Sequence, residues 1–208
     1  MKPHAEARQQ VLKACLTLAS RGFLAGTGGN VSLRVDERRF VVTPSGVDYY
    51  AMKPDDVCTV DIHSLHAEQG DREPSIEVGL HAALLGCRSD AAAVVHTHQP
   101  LASAVSLLGV DLAVEAPDAQ RLLGLSIKAI PYAPSGTNLL VRALSHRLSH
   151  SVNAYLLCNH GLICSGSTLS QAIEIADQAE QVARRFLLGA IAHAASGDLA
   201  LEALEAMQ

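Results

Sequence analysis

A chain of 208 residues, 49% apolar and only 18% charged, is long enough to close a large core and too apolar to stay disordered. Its formal charge of −5, with no basic stripe, excludes nucleic acid as the main partner, because too few phosphates could be neutralised. No apolar run approaches a membrane span and the first ten residues hold no leader-like apolar core. The five cysteines form no CxxC pair and read as reduced core thiols (Cys15, Cys58 and Cys158 lie in apolar segments). A soluble, cytoplasmic protein with one domain over residues 1–208 is the expectation.

The elements follow in chain order. Apolar positions at Val11, Leu12, Cys15, Leu16 and Ala19 predict a helix over about 4–21, which Gly22 ends. A glycine loop, Gly26-Thr27-Gly28-Gly29-Asn30, leads into a predicted hairpin of Val31–Val35 and Phe40–Val42. The loop Thr43-Pro44-Ser45-Gly46 closes it, and Val57–Ile62 reads as another strand. Pro74 opens a helix over about 75–85, and a strand Ala91–His96 follows. Pro100 begins a helix to about Leu108, and residues 110–124 fit no one pattern. Then come a strand at Ile127–Tyr132, a helix at Asn138–Ser149, strands at Ala154–Cys158 and Leu162–Cys164, and a long helix from Leu169 to about Ala195. Strands and helices mix without a clean βαβ alternation, and hairpin-type connections are frequent. The predicted fold is therefore α/β, a three-layer α/β/α arrangement with a central, mostly antiparallel sheet flanked by helices.

His96-Thr97-His98 stands at the end of an apolar strand, and side chains two apart leave the same face. His160, in Asn159-His160-Gly161, ends a second apolar run. Three imidazoles and one open position describe a catalytic divalent site, most simply zinc. The competing reading leaves them as polar residues where strands meet solvent. Glu77 falls in the first turn of the helix after Pro74, where a carboxylate suits the helix dipole and could equally serve as a general base beside a metal. His81, one turn on, is read as supporting rather than ligating.

The glycine loop is not a dinucleotide fingerprint: Val31 stands where the third glycine is needed, and the loop runs from helix to strand. It and Thr43–Gly46 can be simple tight connections or, flanking one hairpin, an anion cradle built from backbone N–H groups.

Taken together, Gly28-Gly29-Asn30-Val31-Ser32, Thr43-Pro44-Ser45-Gly46, Pro74-Ser75-Ile76-Glu77, His96-Thr97-His98 and Asn159-His160-Gly161 resemble the class II aldolase/adducin N-terminal family, from Arg21 to the final helix. The resemblance implies one divalent metal per subunit, usually Zn2+, on His96, His98 and His160. It implies Glu77 as the catalytic glutamate and Gly29, Asn30, Ser45, Gly46 and Ser75 as phosphate-binding residues. It also implies a sugar-phosphate substrate, enediolate chemistry, and a homotetramer with active sites between subunits.

Two departures stand out against the fuculose-type aldolases. Ile76 replaces a serine, and Glu115–Gln120 lacks their proton-donating tyrosine, for which Tyr132 and Tyr155 are not obvious substitutes. An aldolase acting on a small ketose phosphate is the first reading. A methylthioribulose-1-phosphate dehydratase-like lyase keeps the same metal and base, so the motifs do not separate the two. A sugar-phosphate 4-epimerase would carry aspartate at position 77, and a family decarboxylase lysine. A non-enzymatic adducin-like module would lack the three histidines.

Overall fold

The computed structural model describes residues 4–195. Among the described residues, nine strands form one sheet in the order β4-β3-β2-β1-β5-β9-β8-β7-β6. They are β1 (Asn30–Arg34), β2 (Arg39–Val42), β3 (Cys58–Asp61), β4 (Ala67–Gln69), β5 (Ala93–Thr97), β6 (Leu112–Ala113), β7 (Ser126–Ile130), β8 (Ala154–Leu157) and β9 (Gly161–Gly166). Every neighbouring pair is antiparallel except β7 with β8.

The two-residue alternation of the strands sorts side chains into two cores. Val31, Val41, Val95, Leu156 and Leu162 face one of them, closed by α1 (Ala5–Ser20), α3 (Pro100–Ser106), α4 (Pro117–Leu123) and α6 (Leu169–Ala195). Phe40, Val42, Val94, Tyr155 and Ile163 face the other, under α2 (Val78–Cys87) and α5 (Asn138–Arg147). Helices thus cover both faces of the sheet, as its doubly buried strands require. Asn30, Ser32 and Arg34 alternate with Val31 and Leu33 and so share the α2 side of β1, with His96 opposite Asn30 in register.

The sequence-based elements stand with local corrections. Helix α2 begins at Val78, so Glu77 is its N-cap residue rather than part of its first turn. The cause is a short ladder: Ser45 N–H donates to Glu73 O (2.9 Å) and Ser75 N–H to Thr43 O (3.0 Å), which keeps residues 73–75 extended. Residues 110–124 resolve into β6 and α4, with Gly124 as the helix C-cap. Strand β4 was not anticipated; at three residues it carries too little alternation to read. Cys158 is only half-buried and Cys87 exposed, while Cys15, Cys58 and Cys164 are buried; all five are free thiols.

Candidate active site

The site is built where β1, β5 and the β8–β9 turn meet on the α2 side of the sheet. His96 is fully buried in β5, and its Nδ1–H donates to Leu162 O at 2.8 Å. That bond commits Nδ1 as the donor and turns Nε2 toward the other two rings. His98 lies just beyond β5. The chain around it is pinned: His98 N–H donates to Phe23 O (3.1 Å) and Gln99 Nε2 to Ala176 O (2.8 Å). Glu180 of α6 accepts the N–H groups of Leu101 and Ala102 at the start of α3 (2.8 and 2.9 Å), where a carboxylate offsets the helix dipole.

His160 sits in the tight turn between β8 and β9, with Asn159 at φ +57. A Cβ at Gly161 would strike Thr97 O and lie 2.8 Å from His98 Cδ2, so glycine there lets the turn close onto β5. Gly29 does the same from the other side: at φ +82, its added Cβ would lie 2.6 Å from His96 O.

Three Nε2 atoms converge as a result. His98 Nε2 is 3.0 Å and His160 Nε2 3.2 Å from His96 Nε2. The ring centroids are 4.7, 4.8 and 5.0 Å apart. His98 is held down to about 4, first by loss of hydration and then by the nearby His96 and His160. His160 is likewise lowered, chiefly by desolvation. Imidazole nitrogens aimed at one point suit a divalent cation, and among the described residues this is the one cluster of its kind.

Glu77 faces that point. Its Oε2 is 3.2 Å from His96 Nε2 and its Oε1 3.3 Å from His160 Nε2. Asn30 Nδ2 donates to Oε2 at 2.8 Å and Ser135 Oγ to Oε1 at 2.7 Å. Burial alone would raise the Glu77 carboxyl. The hydrogen bond and charge of His96, with the donors of Asn30 and Ser135, overcome it and hold the group well below the usual carboxylate range. Glu77 is therefore ionised at neutral pH.

The other sequence-predicted residues fall nearby. Ser75 is buried; its Oγ accepts from Asn30 Nδ2 (3.0 Å) and Glu77 N–H (3.3 Å), so its own hydrogen points elsewhere. Both side-chain hydrogens of Asn30 are thus used within the protein, on Ser75 and Glu77. Ser45 and Gly46 follow the 43–75 ladder and are exposed, while Gly29 is half-buried. Tyr155 is buried, its hydroxyl donating to Val152 O (3.1 Å), and Tyr132 is exposed; the structure gives neither a contact with Glu77 or the histidines.

Two residues near the carboxylate escaped the sequence reading. Ser135 lies in Pro134-Ser135-Gly136, the same turn tripeptide as Pro44-Ser45-Gly46, a repetition that could have marked it. Tyr49, buried, donates its hydroxyl to Gly29 O at 2.5 Å and fixes the glycine loop.

Residues 9–187 match the profile of the class II aldolase and adducin N-terminal domain. The chain is 33% identical to 5-deoxy-D-ribulose 1-phosphate aldolase of Bacillus thuringiensis serovar kurstaki, over 83% of this chain and 80% of that one. It is 32% identical to methylthioribulose-1-phosphate dehydratase of Pectobacterium carotovorum subsp. carotovorum, over 78% of this chain and 84% of that one. Among solved structures, an L-fuculose 1-phosphate aldolase superposes with a TM-score of 0.81 at 28% identity, covering 88% of this chain and 86% of its own.

Proposed function

The chain belongs to the class II aldolase and adducin N-terminal family and is an aldolase-family lyase; from that premise we propose that it cleaves and forms a carbon–carbon bond in a small ketose 1-phosphate. The observation that carries this reading is the convergence of three imidazole Nε2 atoms, 3.0 and 3.2 Å apart, beside an ionised Glu77 held by two donors. The family is metal-dependent. In our reading His96, His98 and His160 hold one cation per subunit, and zinc suits three neutral nitrogen ligands. Such a cation supplies a Lewis acid that draws charge from the carbonyl beside the reacting carbon.

Glu77 supplies the base. In the synthetic direction it removes a proton from the hydroxymethyl carbon of dihydroxyacetone phosphate, that carbon's electron pair forms the bond to the aldehyde carbon, and the aldehyde oxygen takes up a proton from solvent to become a hydroxyl. In cleavage that hydroxyl gives its proton to solvent as the carbon–carbon bond breaks and the aldehyde leaves, and Glu77, having gained a proton from solvent, delivers it to the carbon left behind. Asn30 and Ser135 hold its two oxygens, so the carboxylate stays aimed while burial keeps water away.

The phosphate is assigned to Gly29, Asn30, Ser45, Gly46 and Ser75. The Ser75 hydroxyl hydrogen, which neither of its accepted bonds uses, is one donor for it; Asn30, with its side-chain hydrogens committed, shapes the cradle by holding Ser75. Ile76, 66% exposed next to Glu77, narrows the polar surface there. We further assign residues 1–208 to a single domain, assembled as a homotetramer with sites at subunit interfaces, in the cytoplasm. The free thiols support that location, and among the described residues no helix is long and apolar enough to cross a membrane.

A second reading is dehydration of a 5-methylthioribulose 1-phosphate-like substrate. The Pectobacterium relative favours it, and so does the lack of a tyrosine in Glu115–Gln120. Incubation of metal-reconstituted protein with a panel of ketose 1-phosphates, followed by mass spectrometry, separates the two. Dihydroxyacetone phosphate with an aldehyde marks the aldolase, and loss of one water without cleavage marks the dehydratase. No conversion of any member would overturn the ketose 1-phosphate assignment.

A further inference from the structure

A buried polar chain runs behind Glu77. Ser32 Oγ lies 2.7 Å from His81 Nδ1, and His81 Nε2 lies 2.5 Å from Asn30 Oδ1. Asn30 Nδ2 then reaches Ser75 Oγ at 3.0 Å and Glu77 Oε2 at 2.8 Å. Ser32 and His81 have no exposed surface, and Asn30 and Glu77 almost none.

The proton positions follow from the far end. An ionised carboxylate only accepts, so the Asn30 amide must present its NH2 group to Glu77 and its oxygen to His81. His81 must then carry its hydrogen on Nε2, which leaves Nδ1 bare to accept from the Ser32 hydroxyl. A single arrangement satisfies every group. Burial holds His81 down to about 3, so the ring stays neutral and the arrangement persists through the physiological range.

We propose that His81 is a positioning residue: through Asn30 it locks the orientation of the Glu77 carboxylate and of the Ser75 hydroxyl. Without the His81 donor, the Asn30 amide is free to turn over. Its oxygen would then face the Glu77 carboxylate, replacing an attractive contact with a repulsive one and releasing the base from its aim. The inference rests on the reading of Glu77 as base. It assigns a purpose to a buried histidine that touches neither the three-imidazole cluster nor solvent.

Two substitutions test it. In His81→Gln, the amide can still donate to Asn30 Oδ1 and accept from Ser32, whereas His81→Leu fills the space without a donor. The expected loss of kcat in His81→Leu is about tenfold or more, with metal content unchanged and a smaller change in KM. His81→Gln should recover to within about threefold of the parent. Nitrogen-15 NMR of the metal-free protein should find His81 as the Nε2–H tautomer. An Nδ1–H tautomer, a parental kcat in His81→Leu, or His81→Gln as impaired as His81→Leu would each overturn the proposal.

If His81→Leu does not fold, the tautomer measurement on the parent protein decides: an Nε2–H signal supports the lock and an Nδ1–H signal refutes it. Normal turnover in Glu77→Gln would defeat the base reading itself. The tautomer measurement is independent of that outcome, so the two failures are distinguishable.

Discussion

The two ends of β1 and β5 bury polar groups in opposite ways. At the end near Ala93, Arg34 donates to the carbonyls of Leu85, Arg88 and Ala91, which closes off the C-terminus of α2. Beside it Arg88 donates to Asp90, Ser149 O, Val152 O and Asn153 Oδ1. Donors there meet acceptors. At the His96 end the balance fails: three imidazole nitrogens and a carboxylate crowd one point, and most of what they offer is lone pairs. Burial of matched groups is structural, because each lost contact with water is replaced. Burial of converging acceptors is costly unless a cation or a proton joins them, and that is the end where we place the proposed metal.

Separate perturbation of the two ends tests that contrast. The largest effect is expected from His98→Ala, which removes one of the three proposed ligands: bound metal falls toward zero and activity disappears, while the far end keeps the fold intact. Metal analysis beside circular dichroism checks it, and full metal stoichiometry in the variant would remove His98 from the centre. Chelation of the parent protein should abolish activity reversibly, with added zinc restoring it.

Glu77→Gln comes next. The amide is nearly isosteric but cannot take a proton, so turnover should fall by about a thousandfold with metal still bound. Solvent deuterium uptake into dihydroxyacetone phosphate is the sharpest readout, since it follows proton removal without the aldehyde. At the opposite end, Arg88→Met keeps much of the volume but strips the donors from the Ser149 and Val152 carbonyls and from Asn153. A stability loss of about 3 kcal/mol is expected, read by urea unfolding, with metal affinity unchanged. A change in metal affinity would mean the two ends are coupled and the contrast too simple.

The working end was more legible in sequence than the closed one. His96 and His98 reveal themselves by a two-residue spacing at the end of an apolar strand, and His160 by closing a second such run. The start of α2 could not be read, because Pro74 marks a helix entry but the pairing of residues 43–45 with 73–75 decides where it begins. Ser135, 58 residues from Glu77, is joined to it only by the fold. The polar stripe Asn30, Ser32, Arg34 was visible as alternation, yet it read simply as a β-branched hairpin strand. Its significance depends on α2 lying over that face, and β-strand periodicity says nothing about which helix arrives.

That stripe joins the two ends, and the smallest predicted effect tests its middle. His81 sits over Ser32, between the matched arginines and the unmatched histidines, and burial depresses it from its usual value near 6.5 to about 3. Below pH 6.5 the unfolded chain therefore binds a proton that the folded chain refuses, so the unfolded state carries more protons and stability rises with pH. The contribution is fully present above pH 6.5 and is lost progressively as the pH falls toward 3. In metal-free protein, His81→Gln should flatten this slope between pH 6 and 4 relative to the parent, by unfolding midpoints at each pH. Removal of Arg34's donors by Arg34→Met should lower stability by a similar amount at every pH, since its partners are backbone carbonyls, which do not titrate. A parental slope in His81→Gln would place the acid sensitivity in other groups and free His81 to protonate inside the fold.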